Sequence, residues 1–358
     1  MTIMVMHVEL GRQLYGGAKQ VEYLINALPE DTITSHLVCA SDSAISHIPA
    51  PGCIKHPVPY SGDTDLRFPF RLYRLIKRSK PDILHIHSRR GADVWGGLVS
   101  ALFGIPAVCT RRVDNKESAL AALKYRHYKA VVSISQGVHD VVSRHCKQIL
   151  QPVIHSAVDL NDFRYSRDAE WFREKYDIPA NHKVIANFAQ LIPRKGQKDL
   201  IMAMQAVIAR RQDVTCLLFG KGKQQAAYQQ LADDSGAGKN IRLCGFTSDV
   251  PRILPNIDVM VHPAYAEGLG IILLQAGACK VPMISCPVGG IPEIIHNEKT
   301  GLLVEPGDPA ALAREILRLL DNPAEARALG ENAFHHVQQH FSIAAMADAY
   351  TDLYKSLV

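Results

Sequence analysis

The chain has 358 residues, 47% hydrophobic and 21% charged, with 40 Lys+Arg against 35 Asp+Glu. That length predicts two domains, each with its own core, and the ordinary apolar and charged fractions exclude disordered, collagen-like and coiled-coil chains. A formal charge of +5 is too mild to mark a nucleic-acid binder, yet it is uneven: residues 1–165 carry 20 Lys+Arg and 14 Asp+Glu, residues 166–358 carry 20 and 21. No two of the eight cysteines are spaced as C-x-x-C, and most sit in apolar runs, which points to buried, reduced thiols in a cytosolic protein. The opening MTIMVMHVELGRQ lacks a basic stretch and is interrupted by His7 and Glu9, so it does not read as a signal peptide.

Short β-rich runs alternate with helical patterns from the first residues. Strands are predicted at Ile3–Val8, Ser35–Cys39, Ile83–His87, Ala107–Thr110, Ala130–Ile134 and Pro152–His155, with helices near 17–28, 66–79, 91–103, 116–128 and 136–146. The polar stretch Asp159–Asn181 interrupts the rhythm and reads as a linker. The pattern then restarts, with strands at Val184–Phe188, Thr215–Phe219, Ile241–Cys244, Asp258–Val261, Pro282–Cys286 and Gly301–Val304. Helices follow near 196–211, 224–234, 269–279, 308–321 and 323–340. Such alternation predicts an α/β protein of two doubly wound parallel-sheet domains, 1–165 and 166–341, facing across a cleft, with ligands at the carboxyl ends of the strands. The last helical stretch, 342–358, has no strand to serve and is expected to pack back on the first domain.

The stretch from Asp258 to Ile294, DVMVHPAYAEGLGIILLQAGACKVPMISCPVGGIPEI, carries the most chemistry. A strand ends at His262-Pro263, and Glu267-Gly268-Leu269-Gly270 then opens an apolar helix. Free amides at a helix start, with glycines that let a ligand come close, favour a phosphate. Gln275, eight residues after Glu267, is predicted on the same helix face. A carboxylate and an amide above a phosphate site suit the hydroxyls of a sugar and a ribose.

These residues, with Gly16-Gly17, His85-Ile86-His87-Ser88, Lys195-Gly196, Gly220-Lys221-Gly222, Gly245-Phe246, Gly289-Gly290-Ile291-Pro292-Glu293 and Thr300-Gly301-Leu302-Leu303-Val304, occur in an order and spacing that resemble a family-4 glycosyltransferase of the GT-B fold. The resemblance covers almost the whole chain. It implies a retaining, metal-independent enzyme that moves a sugar from a nucleotide-diphosphate sugar, its substrate, to a hydroxyl of a glycan or lipid-linked acceptor; no cofactor is implied. By position, Gly16 and Gly17 would let donor diphosphate and acceptor approach, and Lys195, helped by Arg194, would neutralise the donor phosphates. Gly245 and Phe246 would flank the base, Gly268, Leu269 and Gly270 would present amides to the diphosphate, and Gln275 would take the ribose. Glu267 would hold the transferred sugar, with His87 facing it from the first domain, while His85 lies deeper in the core. Besides His155-Ser156-Ala157-Val158-Asp159 where the family has Asn-Gly-Val-Asp, two positions depart from the family pattern: Ala189-Gln190-Leu191 replaces Gly-Arg-Leu, and Gln275 replaces a glutamate. They motivate a second reading, a nucleotide-sugar-binding subunit without turnover.

Three further signals stand outside that pattern. Arg67, Arg71, Arg74 and Arg78 recur at helical spacing with Lys77 and Lys80 beside them, a basic amphipathic helix over 66–79 compatible with anionic lipid headgroups on the inner face of a cell membrane. Arg89-Arg90 and Arg111-Arg112 each follow a predicted strand end, which makes Arg89, Arg111 and Arg112 candidates to receive an anionic acceptor. Asp63-Thr64-Asp65 has the D-x-D pattern of cation-dependent glycosyltransferases, but it lies in a turn-like segment, so no metal site is expected there.

Overall fold

A computed structural model describes residues 2–14, 16–88, 91–115, 117 and 121–358. The chain divides into two compact units, Met1–Ala157 with Ile343–Val358, and Val158–Ser342. In the first, the elements run β1 (Ile3–Glu9), α1 (Gly16–Ala27), β2 (Ile33–Ala40), β3 (Cys53–Val58), α2 (Phe68–Ser79), β4 (Ile83–Ile86), α3 (Ala92–Phe103), β5 (Ala107–Arg111), α4 (Ala121–Tyr125), β6 (Ala130–Ser133) and α5 (Gln136–Val142). The second runs α6 (Ala169–Lys175), β7 (Lys183–Phe188), α7 (Gln197–Arg210), β8 (Val214–Phe219), α8 (Gln225–Asp234), β9 (Ile241–Gly245), α9 (Val250–Ile253), β10 (Val259–His262) and α10 (Ile271–Ala278). It continues through β11 (Met283–Ser285), α11 (Ile291–Ile294), β12 (Leu302–Leu303), α12 (Pro309–Asp321) and α13 (Pro323–His340), and α14 (Ile343–Lys355) returns to the first unit.

Both sheets are parallel and share one winding order. The first reads β3-β2-β1-β4-β5-β6, the second β12-β11-β10-β7-β8-β9, so the order reverses between β1 and β4 and between β7 and β10. In doubly wound sheets ligands bind at the carboxyl ends of the strands beside that reversal. Those ends carry His87 after β4, and His262 closing β10.

The domain boundary lies at Ala157/Val158 rather than after residue 165, and Asp159–Asn181 is no linker. Gln20 closes the first unit by giving its amide to the Ala157 carbonyl and accepting from the Ala157 amide. Beyond it, Phe163 and Phe172 are buried, and Asp168 caps α6 and pairs with Arg252, whose guanidinium lies 3.7 Å over the Trp171 ring. The stretch is polar because its few apolar residues are spaced to anchor a short helix.

Other differences have equally local causes. Strand β3 escapes the sequence pattern because Lys55, His56 and Pro57 break its apolar alternation, as an edge strand permits. The expected strand at Pro152–His155 is reduced to an isolated bridge between Ser133 and Val153. Of the expected helix at 116–128, the described part is α4. The Asp65 carboxylate accepts from the Ser61 and Arg67 amides and pairs with Arg71, so it anchors the start of α2. All eight cysteines are free, five of them buried. No helix among the described residues is long and apolar enough to cross a membrane.

Helix α14 completes the core of the first unit. Its Met346, Tyr350, Leu353 and Tyr354 close over Val5, Ile83, Val108 and Val132 and pack beside Leu24 of α1. Burying each such side chain stabilises by about 1.5–3 kcal/mol, so the helix is part of the fold. We expect Tyr354→Ala to lower the unfolding free energy of the first unit by about 3 kcal/mol in urea titrations of the full chain. A loss below about 1 kcal/mol would make α14 an accessory to that core.

Candidate active site

The second unit gathers its chemistry where β10 meets α10. Strand β10 delivers His262 at its last position, and the chain then turns through Pro263 and Tyr265 to Glu267. Glu267 Oε2 accepts from His262 Nε2 at 2.9 Å and from Lys195 Nζ at 2.5 Å. Burial opposes ionisation of this carboxyl, but the His262 hydrogen bond and the Lys195 charge outweigh it and hold the carboxyl down at about 2. Its other oxygen accepts from the Gly268 amide at 3.2 Å.

Two glycines make this geometry possible. A Cβ on Gly289, at φ +55°, would fall 1.6 Å from the Glu267 carbonyl oxygen, so the Gly289-Gly290 turn can press against the Glu267 backbone only as glycine. A Cβ on Gly196, at φ +70°, would fall 1.8 Å from the Pro263 carbonyl oxygen, which lets the Lys195 turn lie against the same loop. The Tyr265 amide donates to the Arg194 carbonyl at 2.9 Å and joins the two loops.

The structure corrects one expectation here. Glu267 lies before the helix: Gly270, left-handed at φ +99°, caps α10, which begins at Ile271, so Glu267 and Gln275 are not two turns apart on one helix face. Gln275 is half-buried on α10 itself, and Leu269 is buried. Arg194 is exposed and, with Asp199, Tyr228 and Tyr265, lines a cavity of about 400 Å³. Phe246, just past Gly245 at the end of β9, exposes 59% of its surface with Lys221 Nζ 5.8 Å from its ring. His262 and Lys221 were absent from the expected site. The position of His262, at a strand's carboxyl end five residues before Glu267, is the signal that marks it.

In the first unit, Gly16 and Gly17 form the first turn of α1 rather than a loop before it. A Cβ on Gly17 would stand 3.5 Å from Arg112 Cδ, so Arg112 lies at the start of that helix. His87 is buried, and its Nδ1 stands 3.5 Å from Arg112 Nη2. Arg111 is not available to an acceptor: its guanidinium is buried, 3.1 Å from Glu117 and donating to the Asn115 carbonyl. Arg111 is the last residue of β5 and Arg112 lies just past it, so one side chain pairs with Glu117 while the other lies beside Gly17. Arg89 lies outside the described residues.

The pattern of the family described as Glycosyl transferases group 1 matches residues 168–336, and that of Glycosyltransferase Family 4 matches residues 15–162. The lipopolysaccharide core biosynthesis glycosyltransferase LpsE of Rhizobium meliloti is 30% identical over 80% of this chain and 80% of its own. This chain is a family-4 glycosyltransferase of the GT-B fold.

A GDP-mannose-dependent monoacylated α-(1-6)-phosphatidylinositol monomannoside mannosyltransferase of Corynebacterium glutamicum is 34% identical, over 56% of this chain and 55% of its own. The chain spans about half the length of several such relatives. The GT-B fold is shared with the crystal structure of Anabaena HepE in complex with UDP and glucose, at TM-score 0.85 and 19% identity over 99% of this chain and 100% of that one.

The Glu267 ion pair of this glycosyltransferase has a definite acid limit. A carboxyl held near 2 against an ordinary 4.5 contributes stability that is complete above pH 4.5 and lost as pH falls toward 2. We expect the stability difference between the native chain and Glu267→Gln to shrink by on the order of 3 kcal/mol between pH 5 and pH 2, read by denaturant titration at each pH. A pH-independent difference would show that Lys195 and His262 do not hold the carboxylate.

Proposed function

We propose that the enzyme moves a sugar, with retention and without a metal, from a nucleotide-diphosphate sugar to a hydroxyl of a glycan or lipid-linked acceptor in cell-surface polysaccharide or lipopolysaccharide synthesis. The observation that carries this reading is the Lys195–Glu267–His262 cluster just before α10, where a buried cation, a half-buried carboxylate and the Gly268 amide meet. The UDP and glucose held by HepE, the GDP-mannose dependence of the corynebacterial relative and the lipopolysaccharide role of LpsE support donor and acceptor class.

The donor phosphates would take Lys195 from Glu267 and lie against the amides of Gly268, Leu269 and Gly270. Freed from Lys195 but still held by His262, Glu267 would accept hydroxyl protons of the transferred sugar. Phe246 offers an exposed ring to the base beside Gly245, and Gln275 an amide to the ribose. The bond from the anomeric carbon to the phosphate oxygen then breaks while the acceptor oxygen bonds the same face. The departing diphosphate takes the acceptor proton, so no separate base is required. Lys195 and the helix start stabilise the charge that develops on it. His87 would face the sugar and Arg112 an anionic group of the acceptor.

We expect Lys195→Ala and Glu267→Ala each to lower kcat/KM for transfer by about a hundredfold or more, assayed with a panel of UDP- and GDP-sugars and cell-envelope acceptor extract. Full activity in either variant would overturn the site. Donor binding without nucleotide release by the native chain would favour the non-catalytic subunit.

Helix α2 supports membrane contact. It buries Phe68, Leu72 and Ile76 but exposes Phe70 (72%), with Leu66 (67%) just before it, among Arg67, Arg74, Lys77 and Arg78. Apolar side chains among cations suit an anionic lipid surface. In co-sedimentation with vesicles containing phosphatidylglycerol, Phe70→Ser with Arg74→Glu should lose about tenfold in partitioning; an unchanged bound fraction would remove α2 from any membrane role.

A further inference from the structure

Three histidines lie together under α14 on one face of the first sheet. His7 on β1 is the register partner of His85 on β4, His87 follows two residues on, and all three are buried. The His85 and His87 ring centroids are 3.7 Å apart, and His7 stacks on His87 at 5.3 Å. His85 uses both nitrogens on hydroxyls, with Tyr354 at 2.6 Å and Thr110 at 2.7 Å, and Thr110 meets Tyr350 at 2.9 Å.

The proton positions on the other two rings follow from their partners. A guanidinium only donates, so His87 Nδ1, 3.5 Å from Arg112 Nη2, presents its lone pair. A neutral ring then carries its hydrogen on Nε2, which lies 3.0 Å from His7 Nδ1 and donates to it. His7 keeps its own hydrogen on Nε2, which is buried without a partner. Burial, reinforced by neighbouring positive groups, lowers all three histidines, His7 to about 3, so the rings stay neutral near pH 7. Among the described residues no carboxylate pairs with Arg112, and its Nε is buried without a partner.

We propose that His7 is a positioning residue: by accepting the Nε2 hydrogen of His87 it fixes which nitrogen of that ring is bare, turns the Nδ1 lone pair onto Arg112 and so holds the guanidinium beside Gly17 at the start of α1. The other tautomer of His87 would set an N–H against the N–H groups of Arg112 and push the guanidinium away. The functional consequence rests on the reading of His87 and Arg112 as sugar- and acceptor-facing groups. The tautomer does not.

The test uses the full chain labelled with ¹⁵N-histidine, with His87→Gln to assign the ring. NMR near pH 7 should show His87 neutral, bare at Nδ1 and protonated at Nε2. His7→Leu, which cannot accept, should mix the tautomers, whereas His7→Asn, whose amide oxygen replaces Nδ1, should preserve them. In transfer assays His7→Leu should lower kcat about tenfold to a hundredfold with donor KM little changed, and His7→Asn should stay within about threefold of the native chain. His87 protonated at Nδ1 in the native chain would overturn the proposal. So would a His7→Leu variant that keeps both tautomer and rate. Stoichiometric Zn²⁺ that shifts all three rings would make the cluster a metal site instead, and would also overturn it. The NMR needs no turnover, so a native chain inactive with every donor would remove the transferase reading and leave the tautomer test standing.

Discussion

Glu267 must remain an ion in a place where burial works against it, and much of the second unit is arranged around that constraint. His262 is delivered by β10, Lys195 by the turn before α7, and the Gly268 amide by the chain itself. Removing either cation-side partner would leave a carboxylate in low-dielectric surroundings with too few donors, which is far costlier than the pair is stabilising. The glycines follow from the same demand. Gly289 and Gly196 bring backbone against the Glu267 loop from two directions, at distances no side chain tolerates.

The first unit solves a different problem. Its sheet face under α14 begins as an ordinary core, with Val5, Ile83, Val108 and Val132, and turns polar one pleat later at His7, His85 and Thr110. Buried polar atoms destabilise a core unless each finds a partner. Here Tyr350 and Tyr354 supply hydroxyls from α14, so the helix that closes the apolar core also satisfies the polar row. Among the described residues of this row two nitrogens stay unpaired, His7 Nε2 and Arg112 Nε. The polar row ends at Arg112, a cation with no carboxylate partner among the described residues, beside the start of α1.

The fold was largely legible because its signals are periodic. Apolar runs of strand length alternating with helical patterns specify parallel sheets covered on both faces, and β1, β2, β4, β7, β8 and β10 fall within a residue or two of their expected bounds. What escaped was aperiodic: edge strand β3, and the polar segment before β7 that anchors itself with Phe163 and Phe172. The site was legible at Glu267 and Lys195 because each sits beside glycines at a strand-to-helix turn. Periodicity misled where geometry departed from it, since eight residues equal two helical turns only if the helix has already begun, and Gly270 delays it. Adjacent arginines look alike in sequence, yet Arg111, the last residue of β5, is buried against Glu117 while Arg112 lies just past the strand beside Gly17. His7 gave no local signal, because it acquires its role from His87 past the end of another strand, whereas His262 was marked only by its place at a strand end five residues before Glu267.

The two departures from the family pattern have a common electrostatic meaning. Gln190 stands where a phosphate-binding arginine is usual, and Gln275 where a ribose-binding glutamate is usual. One exchange removes a cation and the other an anion, so the summed charge of the donor side is unchanged and the long-range attraction for a diphosphate is preserved to first order. The local terms change. On the proposed donor reading, phosphate would lose a bidentate partner and ribose a charged acceptor, and neutral hydrogen bonds are roughly half as strong as charge-assisted ones. On the same reading the burden on Lys195 and the amides before α10 would rise accordingly. A donor site that binds its nucleotide more weakly while keeping the groups that act on the leaving phosphate loses ground-state affinity before it loses rate, because only interactions that strengthen in the transition state set the chemical step.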